Sequence, residues 1–260
     1  MVLAALALTA SLRAAPVARS SNVLRPAPVV VIDPGHGGKD SGARHGGVRE
    51  DEVNLKMALT LAAVLRRHGY RVVLTRGVGC RPVWVRGPID MGVRYVGTSG
   101  LPFHSCRQNL RDRVLDAARR RESLFLSLHC DHYSDPSVRG PRTYYGRGSD
   151  IQKALAGSIQ HSLDAFRSRP FTPMAADHFV LVAQPNVPAV TVELGFLTNP
   201  RERALLETEA YRRDMAEAIA RGVAAFARTH PLLPPPQVDR TAVERRWDMR
   251  PAVSRRKHRH

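Results

Sequence analysis

The sequence has few cysteines and no long apolar segment. Its three cysteines, Cys80, Cys106 and Cys130, are too few for a disulfide framework, and no CxxC pair indicates a thiolate zinc site. If the protein is exported, Cys80 and Cys106 are candidates for one disulfide bond. After residues 1–15, no apolar run approaches the roughly 18 residues that span a bilayer, so we expect no stable membrane insertion.

Acidic residues are also scarce. The chain has 23 Asp and Glu against 40 Lys and Arg, which gives a formal net charge of +17. A charge of this size favours adsorption to nucleic acid, to anionic lipid or to an anionic wall polymer. No RNA- or DNA-binding motif accompanies the arginines, so we expect no nucleic acid partner.

The two ends of the chain differ from its centre. Residues 1–15, MVLAALALTASLRAA, form an apolar run followed by small residues, which is typical of a secretory signal although a charged leading segment is lacking. We therefore expect export to the periplasm, the cell wall or the extracellular space. Residues 16–28 lack periodicity and are predicted to be a linker. Residues 231–260 change from a proline run to an Arg-rich segment, which predicts a disordered basic tail that can contact anionic wall polymers.

Residues 29–230 are predicted to form a single α/β domain. Val29–Ile32 is a short β-branched run that ends in a loop, Val53–Arg67 has apolar residues at helical spacing, and Tyr70–Thr75 is the next strand. This succession predicts a mostly parallel twisted sheet flanked by helices on both faces. Gly77–Gln108 is too long and irregular for an ordinary connection and is predicted to be a surface insertion. The remaining predicted helices are Leu110–Arg121, Asp150–Phe166, Pro200–Glu207 and Tyr211–Arg228, and the remaining strands are Leu124–Leu128, Arg142–Tyr145, a strand around Phe179–Val182, and Val187–Leu194.

Metal-ligating side chains occur where these elements begin or end. His36 lies at the tip of the loop DPGHGG, Glu50 at the start of the first helix, and His129 at the end of a strand. Open α/β sheets place their sites at the carboxyl ends of strands. Two histidines and one carboxylate are a ligand set of hydrolytic zinc, which leaves a fourth position for water.

Taken singly, each of these residues has an ordinary structural explanation. A loop histidine is commonly a surface residue, a glutamate at a helix start complements the helix dipole, and a histidine at a strand end is often a satisfied structural group. Glu193 is harder to explain in this way, because it interrupts the apolar run of VTVELGFLTN in a strand that should be buried. A buried carboxylate is costly unless it is paired, protonated or used, so a catalytic role is indicated.

Four motifs, in this order, resemble the type 3 class of zinc-dependent N-acetylmuramoyl-L-alanine amidases. They are VVVIDPGHGGKDSGA, EDEVNLKMALTLAAVLRRHGYRVVLTR, LFLSLHCD and PAVTVELGFLTNPRE, and the resemblance spans Val29 to Arg228. It implies one Zn²⁺ held by His36, Glu50 and His129, with Glu193 as the catalytic acid–base group. It also implies a peptidoglycan or muropeptide substrate, and we expect a monomer.

Several neighbouring residues compete for these roles. A helix turns about 100° per residue, so only one of Glu50, Asp51 and Glu52 can face the metal, and the motif favours Glu50. His132 is at an odd offset from His129, which predicts an exposed position or one behind the ligands. His45, His258 and His260 are predicted to be solvated, Cys130 to be a small apolar residue, and Asp33 to orient a metal-bound imidazole.

The chain departs from the family in two places. Cys130 and Asp131 stand where the family usually has Ala and Asn, and the Gly77–Gln108 insertion is longer than usual. A regulated branch of the family carries an extra helix between the second histidine and the last strand, which plugs the zinc site. The segment between His129 and Glu193 is already committed to predicted strands and a helix, so we expect no such plug.

Other classes of protein remain to be separated by experiment. A zinc peptidase or deacetylase would use the same ligands. A non-haem iron oxygenase also uses two histidines and one carboxylate but would not need Glu193. A basic protein that coats a polyanion without catalysis would need none of these residues.

Overall fold

The computed structural model describes residues 27–38, 40–77, 83–85, 124–178, 181, 183 and 186–232. Several sequence predictions concern residues outside these ranges. They are the signal, the helix Leu110–Arg121, most of the Gly77–Gln108 insertion with Cys80 and Cys106, nearly all of the linker, and nearly all of the basic tail with His258 and His260.

A seven-stranded sheet forms the centre of the fold, with the order β5-β4-β1-β6-β9-β7-β8. Neighbouring strands pair in parallel from β4 through β1 and β6 to β9, whereas β5 and β7 pair antiparallel with β4 and β9. The strands of this sheet are β1 Val29–Pro34, β4 Arg71–Leu74, β5 Val83–Val85, β6 Leu124–Asp131, β7 Arg142–Gly146, β8 Met174–Ala176 and β9 Ala189–Phe196. A separate two-stranded hairpin consists of β2 Arg44–His45 and β3 Val48–Arg49.

Within the part of the chain that the structure describes, four long helices accompany the sheet: α1 Glu50–Arg67, α2 Asp150–Leu163, α3 Pro200–Glu207 and α4 Glu209–Thr229, with a 3₁₀ turn at Asp164–Phe166. Their apolar side chains share one core with alternate residues of the strands, including Ile32, Leu128 and Leu194. The described helices therefore cover the same face of the sheet. The predicted mostly parallel α/β sheet flanked by helices is confirmed, while the prediction of helices on the second face as well stays a prediction, because the predicted helix Leu110–Arg121 lies outside the described residues.

Local sequence explains where these elements begin. β1 is a Val-Val-Val-Ile run, fully buried between two neighbouring strands, as expected for a central parallel strand. Ser149 caps α2 by accepting the N–H of Gln152, and Asn199 caps α3 by accepting the N–H of Glu202. Pro200 then occupies the first helical position, where its missing N–H costs nothing.

One predicted strand is wrong in part. The strand expected around Phe179–Val182 falls mostly outside the described residues, but Leu181 is described and is not in a strand. Its N–H donates to the carbonyl of His178 at 2.9 Å, which is a turn contact and is incompatible with a ladder. The strand that pairs with β7 lies earlier, at Met174–Ala176. Among the described residues, no helix combines the length and the apolar character that crossing a membrane would require.

Candidate metal centre

The carboxyl ends of β1, β6 and β9 meet the first turn of α1 at one edge of the sheet. His36 follows β1, His129 lies near the end of β6, Glu193 is directly opposite His129 on β9, and Glu50 begins α1. Parallel strands bring their carboxyl ends to the same edge, and this explains why residues far apart in sequence converge here.

The loop after β1 adopts an unusual backbone conformation. His36 has a φ of 61°, a left-handed conformation that is uncommon for residues other than glycine and that often occurs at functional sites. Gly35 packs against the imidazole of His129 so closely that a Cβ atom would overlap the ring. The glycines of DPGHGG thus allow the two imidazoles to approach, with ring centroids 4.8 Å apart.

Glu50 lies between the two histidines. Its Oε1 atom lies 3.1 Å from His36 Nε2 and 3.1 Å from His129 Nδ1. The backbone N–H of Ala43 donates to Oε2 at 2.8 Å, and that of Cys130 donates to Oε1 at 3.1 Å. Burial raises the pKa of Glu50, but the hydrogen bonds from His129, His36 and Ala43 lower it well below its usual value. The carboxylate is therefore ionised, buried and fixed.

These three residues form a group with the composition and spacing of a metal site. One ligand atom from each of His36, Glu50 and His129 lies within 4.8 Å of the other two. Asp51 points elsewhere and pairs with Arg49 at 2.9 Å, while Glu52 is exposed. Glu50 is thus the acidic residue of the three that faces this group.

Asp40, which the sequence analysis did not single out, supports His36. Its Oδ2 atom lies 2.9 Å from His36 Nδ1, so the opposite ring nitrogen, Nε2, faces Glu50. Burial lowers the pKa of His36, but the contacts with Glu50 and Asp40 raise it to about 9. An acidic residue four positions after a loop histidine, in HGGKD, is the sequence signal that could have identified this contact.

Asp33 is fully buried near the same edge of the sheet. It accepts hydrogen bonds from the hydroxyls of Thr75 at 2.6 Å and Ser127 at 3.2 Å, which join β1 to β6 and to the residue after β4. The predicted role of Asp33 in orienting a metal-bound imidazole stays a prediction.

The carboxyl of Glu193 lies beside this group. Its Oε2 atom is buried and has no hydrogen-bond partner among the described residues. Burial raises the pKa of Glu193 to about 7, assisted by the charges of Asp131 and Glu50 and opposed by those of His129 and His36. A carboxyl with this pKa can both take up and release a proton near neutral pH.

A cleft of about 600 Å³ opens onto these side chains. His132 is exposed at its edge, as predicted, whereas His45 is half-buried and lines the cleft rather than being fully solvated. Cys130 is buried in the core and is not part of a disulfide bond, and burial raises the pKa of its thiol. Its predicted role as a small apolar residue is confirmed.

A His₂Glu group at the strand ends of an α/β sheet, beside the half-buried carboxyl of Glu193 and open to a cleft, could hold a metal ion. A family profile described as N-acetylmuramoyl-L-alanine amidase matches residues 30–225. The chain belongs to this family of peptidoglycan hydrolases, and the resemblance of the four motifs is confirmed.

Individual relatives agree with this membership. The chain is 28% identical to the N-acetylmuramoyl-L-alanine amidase AmiA of Escherichia coli K12, over 76% of this chain and 75% of AmiA. It is 31% identical to the N-acetylmuramoyl-L-alanine amidase LytC of Bacillus subtilis, over 76% of this chain but 35% of LytC. The solved structure of the N-acetylmuramoyl-L-alanine amidase AmiC2 of Nostoc punctiforme is similar with a TM-score of 0.60 at 31% identity, covering 77% of this chain and 97% of that one.

Proposed function

We propose that this chain hydrolyses the amide bond between N-acetylmuramic acid and the L-Ala of peptidoglycan stem peptides, with one Zn²⁺ held by His36, Glu50 and His129. The observation that carries the proposal is the half-buried carboxyl of Glu193, which lines the cleft beside a candidate His₂Glu ligand group and whose Oε2 atom is buried without a hydrogen-bond partner. Such a carboxyl has no structural reason to be retained, and amide hydrolysis needs an acid–base group at this position.

The donor set suits zinc. Two imidazole nitrogens and one carboxylate oxygen are borderline donors that zinc accepts in tetrahedral sites, with the fourth position open. Hydrogen bonds from Ala43 and Cys130 fix the carboxylate, and Asp40 fixes one imidazole, so the ligands are preorganised. When bound there, zinc lowers the pKa of water toward 7 and polarises the scissile carbonyl.

The side chains of this protein move the protons. Glu193 in its ionised form takes the proton of the attacking water, and the same carboxyl then delivers it to the nitrogen of L-Ala as the amide bond breaks. The pKa of Glu193, raised by burial to about 7, suits both steps. The mechanism needs no covalent intermediate and no organic cofactor.

Product analysis tests the reaction. Purified protein is incubated with peptidoglycan, with and without a chelator, and the released ends are identified by mass spectrometry. The proposal expects free lactyl carboxylates on the glycan and free L-Ala amines on the peptide, both lost with chelator and restored by zinc. New ends inside the peptide would indicate a peptidase, and loss of acetate would indicate a deacetylase. Full activity with zinc alone would exclude an iron oxygenase.

The chain is also proposed to act outside the cytoplasm and to be retained on the wall by its basic segment. Residues 1–15 are typical of a secretory signal, and residues 238–260 are rich in Arg and Lys. Attraction between this segment and a polyanion fades as the Debye length falls below about 10 Å. Deleting residues 238–260 should therefore weaken retention on whole walls at low salt while activity on small muropeptides persists. Unchanged wall binding at low salt would argue against this role.

A further inference from the structure

Strand β7 places a basic residue, Arg142, next to Glu193. His129 pairs with Glu193 across β6 and β9, and Glu193 pairs with Arg142 across β9 and β7. Residues directly opposite on neighbouring strands share a face, with their Cβ atoms about 5 Å apart. The next residue, Thr143, points the other way and donates to the carbonyl of Ala156 in α2. Arg142 therefore stands on the same side of the sheet as Glu193.

Two phenyl rings hold the guanidinium of Arg142. Its Cζ atom lies 4.6 Å from the ring centroid of Phe196 and 5.3 Å from that of Phe171. Cation–π contacts of this kind position a guanidinium without using its hydrogen-bond donors. The two rings fix the side chain, which also shares a hydrogen bond with the hydroxyl of Tyr144.

No anion among the described residues pairs with Arg142. Its Nε atom is buried without a hydrogen-bond partner, as is Oε2 of the adjacent Glu193, so these two groups do not satisfy each other. Arg76 is a contrast, since it is buried as a structural arginine and donates to three backbone carbonyls. A guanidinium with one unsatisfied donor and no paired anion, next to a candidate catalytic carboxyl, is suited to binding an anionic ligand.

A second guanidinium makes this region more positive. Arg167 Cζ lies 5.1 Å from the Phe171 ring, and its side chain donates to the carbonyls of Pro141 and Arg169. Burial lowers the pKa of Arg167, and the charge of Arg142 lowers it further. Two neighbouring cations on one ring favour a bound anion between or beside them.

We propose that Arg142 binds a carboxylate of the stem peptide, specifically the free α-carboxylate of the D-isoglutamate that follows L-Ala. This inference rests on the proposed amidase function. Glu193 delivers its proton to the L-Ala nitrogen, so the peptide extends from the Glu193 side of the cleft. The first anion along that peptide is this carboxylate, and Arg142 is the basic residue paired with Glu193 on the neighbouring strand. A planar guanidinium binds a carboxylate through two parallel hydrogen bonds.

Arg142 could instead serve only its protein neighbours, by packing Phe171 and Phe196 or by balancing the charge of Asp131 at the end of β6. In that case its loss would slow the cleavage of every substrate by the same factor. A carboxylate subsite predicts something different, namely that the loss depends on whether the substrate carries the carboxylate.

The test compares two substrates that differ at this group, N-acetylmuramoyl-L-Ala-D-isoglutamate and its D-isoglutamine amide, with the full zinc-loaded chain. The wild type should prefer the acid in kcat/KM by about 10-fold to 100-fold, the usual effect of a hydrogen bond to a charged group. In Arg142→Gln this ratio should fall toward one, and Arg142→Lys should restore part of it. Arg147→Gln is the matched control, because it removes an exposed guanidinium just beyond the other end of β7 and should leave the ratio unchanged.

A second measurement does not depend on the variants folding. The product dipeptide L-Ala-D-isoglutamate should inhibit the wild type at least about 10-fold more strongly than L-Ala-D-isoglutamine. The inference is overturned if the wild type shows no preference in either assay, or if folded Arg142→Gln keeps the wild-type ratio. Cleavage of neither substrate at the lactyl amide would instead refute the proposed function itself.

Discussion

At the scale of single residues, turnover depends most directly on the carboxyl of Glu193. Glu193→Gln is nearly isosteric but cannot accept the proton of water. We expect kcat/KM to fall by about 10² to 10⁴-fold, the usual contribution of general acid–base catalysis. The zinc content, measured by elemental analysis after dialysis, should stay unchanged because Glu193 is not a ligand. Glu52→Gln, on the exposed side of the first turn of α1, is the control and should be fully active. A Glu193→Gln protein with more than a tenth of the wild-type rate would contradict this role.

Protons and metal should compete at His36. The pKa of this residue is raised from 6.5 to about 9 in the metal-free protein, mainly because contacts with Glu50 and Asp40 outweigh burial. The imidazole is therefore charged at neutral pH and must lose a proton to bind zinc. We expect the zinc affinity to rise about tenfold per pH unit between pH 6 and 8, with release of close to one proton.

Calorimetry in buffers of different ionisation enthalpy measures this proton directly. In Asp40→Asn the pKa of His36 should move back toward its usual value, so fewer protons should be released at pH 7.5. Zinc binding that is independent of pH over this range, with no released proton, would show that His36 is neutral before the metal arrives.

Sequence reasoning brought together the three residues of the candidate metal site because each lies at a strand or helix end, and such ends converge in a parallel sheet. It identified Glu193 because a charge inside an apolar strand is conspicuous. It missed Asp40 and Arg142 for the opposite reason: a polar residue in a loop and an arginine in a strand at the side of the sheet look ordinary. Their importance depends on contacts with His36, Phe171 and Phe196, which only the folded chain brings together.

At the scale of elements, α3 is tied to the sheet by a buried acid, Glu202. Its Oε1 atom accepts the N–H of Gly140 at 2.7 Å and its Oε2 atom accepts the N–H of Phe196 at 2.8 Å. Burial raises the pKa of this carboxyl although both N–H groups lower it. Glu202 thus joins the end of β9 to the loop between β6 and β7, on either side of the proposed site.

Glu202→Ala leaves two buried N–H groups without an acceptor. We expect a loss of about 2 to 4 kcal/mol in the free energy of unfolding. Each unsatisfied buried N–H group costs about 1 to 3 kcal/mol, and water that enters the site can accept some of these hydrogen bonds. The thermal midpoint should fall by at least about 4 °C. Glu207→Ala is the matched control on the same helix. It removes only a half-exposed ion pair with Lys56 and should cost less than about 1 kcal/mol. Equal midpoints for the two variants would contradict the role of Glu202.

Strong periodicity predicted the long elements well. The helix pattern of Val53–Arg67 and the apolar runs of β1 and β6 each correspond to an observed element, with shifts only at the ends. The strand around Phe179–Val182 was misplaced because a short apolar run fits a turn as well as a strand. The strand that is present, Met174–Ala176, has three residues, which is too short to show alternation.

At the scale of the whole molecule, the described chain leaves the cleft uncovered. Between β6 and β9 the described helix is α2, which packs against β7, β9 and α4 through core residues such as Leu155 and Ile159. Glu193 alternates with Val192 and Leu194, which belong to that core, so its side chain projects from the opposite face of the sheet. Helix α2 therefore does not plug the site, and the expectation that no other part of this segment does so stays a prediction, because residues 179–180, 182 and 184–185 lie outside the described ones.

This arrangement predicts that the purified full chain cleaves muropeptides without an activating partner. One segment that could close the cleft is the Gly77–Gln108 insertion, in which residues 83–85 form β5 on the edge of β4. A variant shortened between residues 86 and 108 keeps β5 and removes the rest. It should match the full chain in kcat/KM to within about threefold, since no group of the described residues has to be displaced from the candidate metal site first. Thermal unfolding of the zinc-loaded proteins confirms that both are folded before rates are compared. A full chain with a rate near zero, and a shortened chain that is many-fold faster, would show that the enzyme is autoinhibited and that the inhibitory element lies in the insertion.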